Sequence, residues 1–186
     1  MPLLALSDPS WVAYPDCYGS GLSIAEYLRA LEADPLQEGE IGDESVWAHL
    51  WSRLARETEI SLAAYAAVPH LIRIGSSIVA DDTASIPLDY LHLPTWIEIT
   101  RLTADVAPDV PPPLEVAYHE AIAALDDLAI GYALRSSDLD VARVVSSALL
   151  VARGDVARAE IVLDWDDDDI AQAQQYLLDG PAFGVN

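Results

Sequence analysis

Four histidines, His49, His70, His92 and His119, carry the side chains best suited to moving a proton or holding a metal in this chain of 186 residues. Imidazole titrates near neutrality and is the commonest metal ligand. No two of the four stand in an HExxH or HxH spacing, and Cys17, the single cysteine, cannot complete a thiolate and imidazole zinc set. The best local pair is Glu115 with His119, four residues apart on one helical face, which offers only two ligands. His70 follows Pro69 and reads as a partner for a carbonyl freed by a kink, or as a concave-face residue, in preference to a general base. Carboxylates are so abundant that their presence selects no acid and base pair. No glycine-rich phosphate loop follows a strand, no Gly-x-Ser-x-Gly elbow occurs, and Cys17 has no histidine nearby to activate it. The run DWDDDDI suits calcium by its hard oxygens but lacks the spacing and distal glutamate of an EF-hand loop. The expectation is a non-enzymatic chain with no catalytic residue, no metal and no cofactor.

The elements that would position these residues read as helices. Residues 1–22 form an extended, turn-rich leader, 23–180 a single helical domain and 181–186 a tail. Ser23 with Glu26 makes a capping box for a helix to about Ala33, striped by Ile24, Tyr27, Leu28 and Leu31. Asp43 can cap a second helix with the stripe Val46, Trp47, Leu50, Trp51 and Leu54. The third, SLAAYAAVPHLIRIG, has Leu62, Tyr65, Val68, Leu71, Ile72, Gly75 and Val79 on a broad apolar face and small residues on the other. Pro69 removes a hydrogen bond there, a defect of about 3 kcal/mol in an ordinary helix interior, which close packing and a kink would offset. From Pro87 to Ala107, Pro94 leaves either a second kinked helix or a short helix, a break and a longer one. APDVPPP is a linker or rigid turn. LEVAYHEAIAALDDLAIGYAL reads as one long helix; Asp138 or Asp140 caps the next, ending at Gly154; Asp155 caps VARAEIVLDW; and IAQAQQYLLDG closes the fold behind the acidic knot.

The charge is one-sided: 31 acidic residues stand against 9 basic ones, a net charge of -22, with hydrophobic residues at 52%. All the basic residues are arginines. Such a chain repels phosphate backbones and anionic bilayers, so nucleic-acid and membrane partners are not expected. A basic protein would be attracted; simple solubility accounts for the same bias. One cysteine forbids an intramolecular disulfide, and the N-terminus lacks a basic region and a continuous apolar core, so the expected location is cytoplasmic.

Asp138, Asp140, Val141, Arg143, Ala148, Leu149, Gly154 and Asp155 within DLDVARVVSSALLVARGDVARAEIVL resemble the second half of a HEAT repeat. YGSGLSIAEYLRALEADP, VWAHLWSRL and SLAAYAAVPHLIRIG resemble bacterial HEAT-like proteins carrying a similar Ala-Ala-Val-Pro-His-Leu segment, while the stretch from Ala80 to Pro113 departs from the pattern. The resemblance implies an all-α, HEAT-like α-solenoid of three to four stacked antiparallel helix pairs behind the leader. It also implies a protein-binding scaffold. In such a stack the acidic turns would line one edge: Glu38, Glu40, Asp43 and Glu44; Asp81 and Asp82; Asp138 and Asp140; and Asp166, Asp167, Asp168 and Asp169. Tyr90 and Trp96 would edge a concave face. The resulting expectation is an immunity protein that neutralises a basic toxin domain, of nuclease type, by occluding its active surface. The alternative is a non-inhibitory adaptor or assembly scaffold.

Overall fold

A computed structural model describes residues 3–37, 45–56, 59–80, 86–136 and 138–164, together with Asp169, which is helical and exposed. The fold is mostly helical. A 3-10 helix, Pro9–Ala13, precedes α1 (Leu22–Ala33), α2 (Val46–Leu54), a hairpin of β1 (Ala55–Arg56) and β2 (Glu59–Ile60), α3 (Leu62–Val79), α4 (Asp89–Thr103), α5 (Glu115–Ala123), α6 (Leu125–Ala133), α7 (Leu139–Ala152) and α8 (Val156–Asp164). The two-residue strands pair antiparallel, Ala55 with Ile60 and Arg56 with Glu59. The sequence gives little sign of them because a strand of two residues has no alternation to read.

Local chemistry explains some of the boundaries. Ser45 caps α2 by accepting from the Ala48 N–H; Asp43, the expected cap, lies outside the described residues. The expected Ser23 capping box does not form, since α1 starts at Leu22 behind Gly21 with no side-chain cap. Of the two expected caps of α7, Asp138 is the one that forms, accepting from the Asp140 and Val141 N–H groups. The helix closes on Gly154 at φ +78°, where the Asp155 N–H reaches the Leu150 carbonyl and the Gly154 N–H the Val151 carbonyl. That left-handed closure suits glycine because it has no Cβ to clash. The long helix expected from Leu114 is two helices, α5 and α6, meeting at Ala124.

α3 is the centre of the molecule. It touches α1, α2, α4, α5 and α6. Thirteen of its eighteen residues are buried, on both the broad apolar side and the alanine side, so packing from every direction holds the helix through Pro69. It has the length and hydropathy of a membrane span, but most of it is buried inside this fold. Gly75 faces α4 so closely that a Cβ there would stand 2.9 Å from the Tyr90 Cβ.

α4 also runs unbroken through its proline, Pro94, which settles the Pro87 to Ala107 region as one helix. Its inward face carries a buried charge cluster. Glu98 accepts two bonds of 2.7 Å from Arg101 and one of 2.7 Å from the Tyr118 hydroxyl of α5. Tyr65 of α3 donates to the Pro108 carbonyl, tying the proline-rich linker to the core.

The leader is part of this core and not an extended arm. Trp11 is fully buried, and its indole N–H donates to the Ala5 carbonyl at 3.0 Å. Asp16 receives the Tyr18 and Ser20 N–H groups and, at 2.8 Å, the Arg53 guanidinium. Burial alone would raise the Asp16 pKa, but the bonds from Arg53, Tyr18 and Ser20 hold it below the usual carboxylate value. The helix expected over IAQAQQYLLDG and the tail 181–186 lie outside the described residues.

Candidate functional site

Each of the four histidines meets an aromatic ring, but only His70 is buried; His49 and His92 are half-buried and His119 is exposed. His49 stacks on Tyr27, with ring centroids 4.9 Å apart. His92 meets Trp51 edge-on at 4.9 Å, and His119 meets Tyr118 at 5.6 Å. His70 lies against Trp11 at 6.0 Å, with Nε2 bonded to the Leu4 carbonyl at 2.8 Å. Its partner is therefore a leader carbonyl, not one released beside Pro69. Burial disfavours the imidazolium and lowers the His70 pKa to about 4, against the pull of the Leu4 carbonyl. Burial also lowers His92, opposed by Asp89. Among the described residues no group of three or more His, Cys, Asp or Glu side chains could hold a metal.

Besides a hollow of about 280 Å³ between α3 and α5, by Arg73 and Glu120, the feature with the most room is a groove along one face of α4. Leu88, His92, Trp96, Ile99, Thr100 and Thr103 recur at helical spacing and line it. Its larger hollow, of about 500 Å³, lies between the C-terminal half of α4 and α8, with Trp96, Ile99, Val106 and Leu163 as its apolar wall. A smaller hollow of about 240 Å³ lies by His92, Val144 and the Asp140 and Arg143 pair. Leu163 and Asp164, at the end of α8, border both hollows and join them into one feature.

Three carboxylates rim the larger hollow: Asp105 from the turn after α4, and Glu160 and Asp164 from α8. None forms an ion pair among the described residues, whereas the nearby arginines are engaged, Arg101 with Glu98, Arg143 with Asp140 and Arg158 with Asp155. Trp96 is half-buried and Val106 is 75% exposed, so the groove offers both a flat ring and aliphatic surface to solvent. An open, partly apolar cleft with uncompensated negative charge fits a cation carried on an apolar stem.

The expected partner-binding residues divide sharply. Trp96 lines the larger hollow and Asp140 the smaller. Tyr90 does not belong to the surface: it is fully buried, edge-on to Trp47 at 4.7 Å, with its hydroxyl donating to the Pro35 carbonyl at 3.0 Å. Its place two residues before His92 turns it to the opposite side of α4, against Gly75. Asp138 is exposed but occupied as a helix cap. Asp169 is exposed on its helix. Glu38, Glu40, Asp43, Glu44, Asp81, Asp82, Asp166, Asp167 and Asp168 lie outside the described residues. Asp105 and Glu160 were not singled out from the sequence, and Asp164 only as the first residue of DWDDDDI, because only folding brings a turn after α4 beside α8. Comparison with protein-family models, with curated proteins and with solved structures finds no match for this chain.

Proposed function

We propose that this chain acts by binding another protein, and that the partner is basic. The observation that carries this reading is the α4 groove, where an apolar wall built around Trp96 is rimmed by Asp105, Glu160 and Asp164, none of them in an ion pair among the described residues. The net charge of -22 adds long-range attraction, which raises association rates at low salt and fades as salt screens it. In its narrower form the reading is an immunity protein: the carboxylates engage the arginines and lysines that a nuclease-type toxin domain would use on phosphate, and the bulk of the helical fold blocks substrate entry. The HEAT-like architecture belongs to the same proposal. Supporting it are the contacts between successive helices, α1 with α2, α3 with α4, α6 with α7 and α7 with α8. Departing from a simple stack, α3 and α4 each reach several helices beyond their sequence neighbours.

The test is affinity capture of the tagged full chain from lysate of its own organism, with elution by a salt gradient and an activity assay of the identified partner. A single basic protein, released stoichiometrically by salt and inactive in the one-to-one complex, is the expected result. A partner that keeps its activity in the complex would replace inhibition by an adaptor role. No basic protein captured, from lysate verified to contain the organism's toxins, would overturn the reading and leave the acidity as a solubility device.

A further inference from the structure

The geometry points to the α4 groove as the docking site for an arginine-bearing segment of the basic partner, with a guanidinium laid on the Trp96 ring and held by Glu160, Asp164 and Asp105. This rests on the binding reading above and names the surface and the side chain it recognises.

The choice of occupant follows from charge and shape. The face from His92 to Thr103 covers twelve residues of helix, roughly 16 Å at 1.5 Å per step, too long for a single small amine and matched to a short peptide segment. Three carboxylates without ion pairs border the hollow, and the arginines of the neighbouring helices are already engaged with Glu98, Asp140 and Asp155. A nucleic acid or a second copy of a chain with net charge -22 would bring negative charge to a negative rim. Arginine suits the site better than lysine. Its planar guanidinium stacks on an indole face and still presents N–H groups at its edge to carboxylates, whereas an ammonium is a compact, strongly hydrated charge. The aliphatic neighbours of such an arginine would lie on Ile99, Val106 and Leu163.

The experiment uses the full chain and three fluorescein-labelled peptides of identical length: a leucine and arginine amphipathic peptide, the same peptide with lysine for arginine, and one with glutamate for arginine. Binding is followed by anisotropy at low and high salt. The expected order is arginine over lysine by about threefold or more, with no binding of the glutamate peptide. The variant Asp105→Asn/Glu160→Gln/Asp164→Asn should weaken the arginine peptide at least tenfold, and Trp96→Ala should remove most of the preference for arginine over lysine. A control that neutralises three exposed carboxylates elsewhere, Glu26→Gln/Glu115→Gln/Asp127→Asn, should change affinity less than twofold. Circular dichroism checks that each variant is folded. Equal weakening by the groove and control variants would overturn the groove assignment while leaving a basic partner in place. Failure of both cationic peptides to bind would count against the basic-partner reading itself. A concentration-dependent dimer abolished by the groove variant, or a photo-crosslink from position 96 to residues 165–186 of the same chain, would assign the groove to a different occupant and overturn the inference.

Discussion

α3 and α4 are built on the same device, a helix running through an internal proline with a histidine close by, yet they end in opposite roles. In α3 the neighbours close around every residue from Ala63 to Ile72, leaving only Arg73, Ser76 and Ser77 exposed, and even the polar His70 finds a carbonyl from the leader. In α4 the inward face is as closed, with Glu98 bonded to both Arg101 and Tyr118, but the opposite face is left as a groove. The difference shows where selection for folding ends. A group whose hydrogen-bonding and charge needs are met internally has nothing to offer a ligand, while half-buried Trp96 and the carboxylates around it still do.

The sharpest way to break this comparison is to attack α4 from within. Glu98→Ala would strand the Arg101 guanidinium and remove the acceptor of the buried Tyr118 hydroxyl, a loss of about 3–5 kcal/mol for breaking such a pair. Urea unfolding should show a loss of unfolding free energy of that size, the midpoint shift multiplied by m, and a loss below about 1 kcal/mol would mean the inward face of α4 is not a core.

A second test uses acid on α3. With a folded pKa of about 4 against 6.5 for a free imidazole, His70 is neutral in the fold and charges more readily when unfolded. The unfolded state then binds more protons between those values, so stability is full above about pH 6.5 and declines as pH falls toward 4, by about 3 kcal/mol from this group. Half-buried His92, whose pKa desolvation also lowers, acts in the same direction. His70→Gln should flatten the slope measured by denaturant titration across this range; an unchanged slope would show that the acid sensitivity lies elsewhere.

Smaller in effect is Gly75→Ala. The added Cβ would press on Tyr90 at 2.9 Å, and overpacking of that kind costs about 1–3 kcal/mol, offset by up to about 1 kcal/mol of better helix propensity. Thermal unfolding should therefore show a modest decrease in Tm. An increase would mean that the α3 and α4 contact has slack.

The smallest expected change in stability comes from the groove. Neutralising Asp105, Glu160 and Asp164 should move stability by no more than about 0.5 kcal/mol each, because none of the three is in an ion pair among the described residues. A loss of several kcal/mol would make these carboxylates structural and erase the contrast with α3.

Much of this fold was legible in the sequence. The stripes of α1 and α2, the continuity of α3 through Pro69 and the Asp138 cap follow from local spacing and capping chemistry, which act within a few residues. Less legible was anything decided at long range. Tyr90 and Trp96 look alike as aromatics on one helix, and only the approach of Gly75 on one side and α8 on the other sends one into the core and the other to the groove. The leader reads as extended because its prolines interrupt helical spacing, but the burial of Trp11 and the reach of His70 to Leu4 depend on residues nearly sixty or more positions away. Asp105 and Glu160 were invisible for the same reason, and the meeting of Asp164 with them was too.

Hydrogen exchange of the full chain, alone and in complex with its captured basic partner, tests the central contrast most directly. The account predicts new protection over residues 88–106 and 156–164, on α4 and α8, with the amides of α3 unchanged because they are already buried. Protection confined to other segments, with the α4 groove exchanging as it does in the free protein, would contradict it.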